Sequence, residues 1–433
     1  MLTRQENELL TRVAPDTPMG ELMRQYWLPA LRSSELSPGG RVKRVRLLGE
    51  DLVAFRGPDG QVGVVGEFCS HRRASLYLAR NEAGGLRCVY HGWKYACDGQ
   101  CLDMPNEPPE SSFKDKVRHP AYPCVERGGV VWAYMGTASP PPAPPDLEWT
   151  LLPEDQRFVS KFYQDCNWLQ GLEGGIDPAH ISFLHGVVDD GDDAVRRELD
   201  QASAGFFLAS QLERAPHLEI ADTAYGVLIG ARRDAGQGMV YWRITQFHMP
   251  MYTMPPTDPK PDPIVHSHIW VPVDDENLVN WCISWHPMRA LTAEERSAMD
   301  AGLSIHVMNY APATSEAYGD IRPAQHRAND YLCDWEAHQS RKFFGVPGVG
   351  AQDKAITESQ QRIFDRTRER LGTSDSGIIR IRKRLLDAAV ALRERGTRPP
   401  GMEPRSFLIR GASVILPKDA PWTEGARVPL SAR

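Results

Sequence analysis

Two groups of side chains in this sequence have the types and spacing to hold metal. The first is Cys69, His71, Cys88 and His91, in the run CSHRRASLYLARNEAGGLRCVYHGWKY: Cys-x-His, sixteen intervening residues, then Cys-x-x-His. Two chemistries suit two thiolates and two imidazoles. Tetrahedral zinc would take all four on one ion. A [2Fe–2S] cluster would divide them, cysteines on one iron and histidines on the other. Neutral imidazole in place of anionic thiolate makes the second iron easier to reduce, which suits a centre that accepts an electron and passes it on. Spacing favours the cluster. Zinc sites mostly pair one Cys-x-x-Cys knuckle with another, whereas here each half supplies one Cys and one His, as two matching loops would. Cys97 and Cys101 fall outside the pattern and are expected to be ordinary thiols.

The second group is His180 and His185, five apart in DCNWLQGLEGGIDPAHISFLHG. Mononuclear iron(II) that activates dioxygen favours two histidines and one carboxylate on one face, leaving positions open. On a regular α-helix, five steps of ~100° put two side chains ~140° apart. Both reach one metal only if the helix ends, bends or bulges between them. The carboxylate must come from farther along the chain. Asp353, Asp330, Asp334, Glu336 and Glu358 are candidates, and Asp353 stands where a glycine-rich loop runs into a helix. Asp177, just ahead of Pro178, also reads as a helix N-cap.

The elements that must position these groups fall into two textures. Residues 15–30 read as a short helix with proline at its start. From Val42 to about Tyr134, short β-rich runs alternate with Gly, Asp and Asn, the pattern of a small all-β domain. ASPPPAPPD (138–146) is a stiff, proline-rich boundary. Residues 163–186 read as helical. Strands return over 206–283 in FFLASQLE, HLEIADTAYGVLIGAR, MVYWRITQFHM, IVHSHIWVPV and LVNWCISWHP, with DAGQG as a hairpin turn. LTAEERSAM opens with a capping box, Thr292 with Glu295. Two helices are expected to close the chain, about 354–371 and 375–396. Strands with segregated helices define an α+β protein.

With 433 residues, 41% hydrophobic and 24% charged, the composition is that of a globular protein. A net charge of -6 gives no basic footprint for nucleic acid and no polybasic membrane patch. No apolar run reaches the roughly 20 residues of a membrane-spanning helix. The polar N-terminus MLTRQENELL does not read as a secretory signal, so a cytoplasmic location is expected, with the eight cysteines as thiols or metal ligands.

CSHRRA, CVYHGWKY and the following DGQ resemble the Rieske motif of aromatic-ring-hydroxylating oxygenases. The resemblance is to the phthalate dioxygenase-like branch, whose oxygenases have a single subunit type. Asn167, Gln170, Glu173, Gly174, Gly175, Asp177, His180 and His185 resemble that family's signature around its mononuclear iron. The resemblance implies Cys69, His71, Cys88 and His91 as ligands of a [2Fe–2S] cluster, and His180, His185 and Asp353 as ligands of a mononuclear Fe(II). It implies that Asp177 bridges His180 to His91 of a neighbouring subunit, with Asn167 beside it in the catalytic set. The implied layout is an N-terminal helical segment (1–40) packed on the catalytic domain, a Rieske domain (41–137), a proline-rich linker (138–149) and a catalytic domain (150–433) with a curved antiparallel sheet covered by helices. Implied too are a homotrimer, sometimes stacked into a hexamer, and electrons from a separate flavin and iron–sulfur NAD(P)H reductase. The chain has no G-x-G-x-x-G unit of its own, in keeping with an external donor.

For substrate, MVYWRITQFHM places Tyr241, Arg243, Thr245 and Phe247 on one strand face. An arginine among aromatics can pair bidentately with a carboxylate. Arg243 is the best match to the arginines this branch uses, Arg232 the next, and Ser182 and Phe183 lie between the two iron histidines. The expected reaction is ring dihydroxylation of an aromatic carboxylate with O2. O-demethylation or monooxygenation of a methoxylated aromatic acid is the alternative. A pure electron-transfer protein and a zinc-stabilised binding protein are the readings from other classes.

Overall fold

The structure is a computed structural model and describes residues 2–186, 213–257 and 262–432. The strand expected at FFLASQLE lies outside these residues except for Glu213. Two short helices open the chain, α1 (Arg4–Thr11) and α2 (Pro18–Arg24), capped by the hydroxyls of Thr3 and Thr17. Only this part of the helix expected over 15–30 forms. Trp27–Arg32 is instead β1, because WLPALR is too apolar to leave exposed and pairs along Val130–Tyr134.

The cluster-motif region is all β. β2 (Lys43–Leu47), β3 (Glu50–Arg56) and β4 (Val62–Gly66) form one antiparallel sheet, which β9 (Ala121–Tyr122) extends. β5 (Arg80–Glu82), β6 (Gly85–Arg87), β7 (Lys94–Tyr95) and β8 (Cys101–Asp103) form another. β1 joins β10 (Cys124–Arg127) and β11 (Val130–Tyr134) in a third. A separate buried cluster sits between the first two sheets, with Phe55, Val65, Leu86, Trp93 and Tyr95 around Cys69 and Cys88.

After the proline-rich stretch and a one-turn helix, α3 (Glu148–Leu151), comes an eight-stranded antiparallel sheet. It contains β12 (Arg157–Gln164), β13 (His217–Asp222), β14 (Gly226–Gly236), β15 (Met239–His248), β16 (Tyr252–Met254), β17 (Val265–Pro272), β18 (Leu278–Trp285) and β19 (Ala412–Pro417). The turn between β14 and β15 falls at DAGQG as expected, and Gly236, Gln237 and Gly238 all have left-handed φ. One face of this sheet packs Val227, Ile229 and Phe247 against α4 (Trp168–Ile176) and the long Ser376–Arg395 helix. The other face carries Val240, Trp242 and Ile244 against Trp422, Ala426 and Leu430. α4 lies so close to β17 that a Cβ on Gly175 would fall 2.5 Å from Trp270 Cζ2.

Residues 163–186 are less helical than expected. The strand runs to Gln164, and the helices are α4 and the single turn α5 (Ile181–Leu184). The capped helix at Thr292 forms as Ala293–Asp300. The helix expected at 354–371 is Val349–Ser359, five residues earlier at its start and twelve shorter at its end. Gln170 of α4 ends it: its amide donates to the carbonyls of Thr357 and Gln361 and accepts the N–H of Phe364, so tertiary bonds replace the next helical turn. The last long helix, Ser376–Arg395, stops at Gly396 in the left-handed conformation.

Candidate metal centres and substrate face

Cys69 and Cys88 occupy equivalent places in two matching turns. Each N–H donates to the carbonyl five residues on (Ala74 at 2.9 Å, Trp93 at 2.8 Å), and each carbonyl accepts from the N–H four residues on (Arg73 at 2.9 Å, Gly92 at 3.0 Å). Arg73 and Gly92 both have left-handed φ, 61° and 77°, which curls each tip back on its cysteine. The turns bring the rings of His71 and His91 to 4.5 Å between centroids. Burial, with Cys69 alongside, pushes the Cys88 thiol up. His71 Nδ1 is buried and meets no hydrogen-bond partner among the described residues. Two buried thiols beside an orphaned imidazole nitrogen form a donor set that suits a cationic iron pair. Trp93 stacks on His71 at 4.4 Å, and the Tyr95 hydroxyl lies 3.1 Å from Cys69 Sγ. At the tip Val89 and Tyr90 are more than half exposed.

The second set also converges. His180 precedes the one-turn α5 and His185 follows it, so the helix does end on either side, and the two rings approach to 5.1 Å. Asp353 Oδ1 lies 3.6 Å from His180 Nε2 and 3.2 Å from His185 Nε2. One donor atom from each of the three falls within 4.8 Å of the others. Burial alone would raise the Asp353 carboxyl, but His185 and His180 hold it below its ordinary value. Burial likewise opposes charge on His180, yet Asp177 and Asp353 together raise its pKa. The other candidate carboxylates are elsewhere engaged or turned outward. Glu358 pairs with Lys354 at 2.8 Å, Asp334 caps the Trp335–Ser340 helix, and Asp330 and Glu336 are exposed.

Asp177 is not an N-cap. It closes α4, where one carboxylate oxygen accepts the N–H of Ala179 at 2.7 Å and the other stands 3.6 Å from His180 Nδ1. A cavity of about 230 Å³ reaches Asp177, His180 and Asp353 from the outer side, between α4 and Ile356, Leu371 and Ile378. Asn167 is a correction. Fully buried, it caps α4 at Leu169 N–H and donates to the carbonyls of Thr11 and Asp275, so its hydrogen-bonding groups are committed to holding α4 in place. Glu173, on the same helix, lies between Arg366 (2.9 Å) and Arg382 (2.6 Å), a buried network that fixes the end of α4 carrying Asp177.

On the sheet, Tyr241, Arg243, Thr245 and Phe247 share a face as expected, all buried. Arg232 is a second correction: opposite Trp242 in register, it belongs to the other face, 3.6 Å from Glu219. Its neighbour Arg233, opposite Tyr241, stands on the expected face and is 1% exposed. Its Nε donates to the Glu213 carbonyl at 2.9 Å, while both terminal nitrogens meet no hydrogen-bond partner among the described residues. Burial lowers its pKa. Ser182 is buried between His180 and His185, and Phe183 turns outward, edge-on to Phe343. Sequence reasoning missed Arg233, whose signal was the strand register, and Gln352, whose Oε1 lies 2.6 Å from His185 Nδ1.

Comparison with known proteins places this geometry in a class. Residues 26–123 match the Rieske [2Fe-2S] domain family, and residues 133–427 match the family described as LigXa C-terminal domain like. The chain belongs to the Rieske oxygenases: it is a Rieske non-haem iron oxygenase with a [2Fe–2S] domain. More particularly, it is a terminal oxygenase of the phthalate dioxygenase-like branch. It is 39% identical over 98% of its length to the 3-chlorobenzoate-3,4-dioxygenase oxygenase subunit of Comamonas testosteroni, 97% of which is covered. It is 36% identical to the phthalate 4,5-dioxygenase oxygenase subunit of Pseudomonas putida, covering 98% of this chain and 94% of that one. It is 33% identical to the 5,5'-dehydrodivanillate O-demethylase oxygenase subunit of Sphingobium sp. (strain NBRC 103272 / SYK-6), covering 89% and 80%. The fold is also that of dicamba monooxygenase bound to dicamba, with a TM-score of 0.57 at 18% identity over 86% of this chain and 98% of that one. The pure electron-transfer and zinc-binding readings are thereby set aside. No helix among the described residues is long and apolar enough to cross a membrane.

Proposed function

We propose that this oxygenase oxidises an aromatic carboxylate with O2, by ring dihydroxylation, using a [2Fe–2S] cluster held by Cys69, His71, Cys88 and His91 and one Fe(II) held by His180, His185 and Asp353. The observation that carries the reading is the convergence of two histidines and Asp353 on one point, with Asp177 behind His180. When bound, the cluster would relay electrons and the ferrous ion would supply the site of dioxygen reduction. The chain's own groups do the rest. Asp177, whose carboxylate stands 3.6 Å from His180 Nδ1, would draw in to orient that ring, and it offers its carboxylate to the outer cavity, where His91 of a neighbouring subunit would arrive. The exposed Val89 and Tyr90 beside His91, and the apolar Ile356 and Ile378 lining that cavity, support a homotrimer in which tip meets cavity.

Arg233, buried and with both terminal nitrogens meeting no hydrogen-bond partner among the described residues, is the carboxylate anchor beside Arg243. In this reading the cluster unit is 41–137, the linker 138–149 and the iron-bearing unit 150–433; of the 1–40 segment expected on the latter, α1 and α2 pack there, whereas β1 pairs with β11 of the cluster unit. The protein works in the cytoplasm with a separate flavin and iron–sulfur NAD(P)H reductase.

Product analysis with 18O2 on benzoate-type acids tests the reaction. Two labelled oxygens on adjacent ring carbons support it; formaldehyde from a methoxybenzoate would establish O-demethylation instead, the activity named for one relative. Arg233→Ala should raise KM for the carboxylate about ten- to hundred-fold and leave the KM of the matching carboxamide unchanged. An unchanged carboxylate KM removes Arg233 as anchor.

A further inference from the structure

Gln352 precedes Asp353 on the Val349–Ser359 helix and touches the same histidine from the other side. Its Oε1 lies 2.6 Å from His185 Nδ1. Its Nε2 faces two backbone carbonyls, Phe344 O at 3.3 Å and Val346 O at 2.9 Å. Carbonyl oxygens only accept, so the amide end that meets them must be the NH2 group. The end toward His185 is therefore oxygen, which also only accepts. It follows that His185 carries a proton on Nδ1, so in the neutral ring the lone pair falls on Nε2, the atom 3.2 Å from Asp353 Oδ1. Two peptide carbonyls thus select the tautomer of a ring they do not touch.

The same amide also ties the 341–348 segment to the metal point. That segment makes a second bond to it, Phe343 N–H to Gly186 O at 3.1 Å, one residue beyond His185. The Phe343 ring stands edge-on to Phe183, on the turn between the two histidines.

We propose that Gln352 is a positioning residue. It locks His185 in the Nδ1–H tautomer for metal binding and couples iron affinity to the order of residues 341–348. This rests on the assignment of His180, His185 and Asp353 as the iron site. Removing a group that orients a metal-binding imidazole costs about 10- to 100-fold in metal affinity.

The test uses the full-length protein, anaerobic, with the cluster in place and Fe(II) itself as the probe. Iron affinity is read by chelator competition, the site's geometry by the EPR signal of the Fe(II)–nitric oxide adduct, and 341–348 by amide hydrogen exchange. The unaltered protein is measured first, and failure there to bind Fe(II) beyond the cluster would sink the site assignment rather than this inference. Gln352→Ala should weaken Fe(II) binding about 10- to 100-fold, broaden the adduct signal and speed exchange over 341–348, with the cluster's visible spectrum unchanged. Gln352→Glu separates the two roles: a carboxylate still accepts from Nδ1–H but cannot donate to the carbonyls. Iron affinity should recover only in part while exchange stays fast, and full recovery with fast exchange would remove the coupling to 341–348. An Ala variant with unchanged Fe(II) affinity, or a Glu variant that restores neither iron nor adduct signal, would overturn the proposal.

Discussion

A thiolate bound to iron can only accept a hydrogen bond, so the Tyr95 hydroxyl, 3.1 Å from Cys69 Sγ, becomes a donor to the cluster when it is bound. Such a bond strengthens as the sulfur gains electron density, and about 1 kcal/mol of difference between redox states corresponds to about 40 mV for a one-electron couple. Tyr95→Phe is predicted to lower the cluster's reduction potential by that order while leaving its iron and sulfide in place, read by redox titration of the visible spectrum. Asp177 sets a different prediction. Asn keeps its size but loses the charge that faces His180, so Asp177→Asn should retain both metals yet slow reoxidation of the reduced cluster, in the presence of substrate and O2, by more than an order of magnitude. Normal reoxidation would leave it no bridging role. At this scale the residues proposed as ligands were largely legible, because cluster and iron chemistry demand particular atoms at short spacing. Arg233 was not. A strand arginine's meaning depends on which face it takes, and that needed the cross-strand register with Tyr241.

Elements carry those residues to their places through contacts that sequence periodicity does not reveal. The expected 354–371 helix fails beyond Ser359 because Gln170 takes over its hydrogen bonds, and the irregular, turning segment that follows brings Arg366 onto Glu173. The strand at Trp27–Arg32 likewise depends on a partner about a hundred residues away. What was legible were local codes: the Thr292 capping box, the DAGQG hairpin and the alternation of the sheet strands. α4 is the element on which the proposed iron site depends, since it ends at Asp177 and leans on Trp270 through glycine. Gly175→Ala should force it away from β17, costing about 1–3 kcal/mol and lowering iron content with the cluster spectrum intact. Gly174→Ala, whose Cβ would meet only Thr357 Cγ2 at 3.2 Å, should be the milder change. Equal iron loss in both would argue against close approach to Trp270 as the cause.

For the whole molecule, the buried imidazole of His248 sets an acid limit. It is stacked on Phe407 and Tyr225, its Nδ1–H donates to the Met249 carbonyl, and burial drives its pKa down to about 3. A folded-state pKa below the unfolded one means that the unfolded chain binds the extra proton. The stability from a neutral His248 is therefore complete above about pH 6.5 and lost as pH falls toward 3, at about 1.4 kcal/mol per unit. His248→Asn should flatten the fall of Tm between those pH values relative to the unaltered protein, and parallel curves would exclude His248 as its source.

The central claim, that one chain holds a two-iron cluster and a separate single iron, is met most directly by counting. Anaerobically purified protein should contain about three irons and about two acid-labile sulfides per chain, with a Rieske-type EPR signal on reduction. His180→Ala should remove about one iron and neither sulfide. Two irons and two sulfides per chain even after anaerobic Fe(II) reconstitution, unchanged by His180→Ala, would contradict the account.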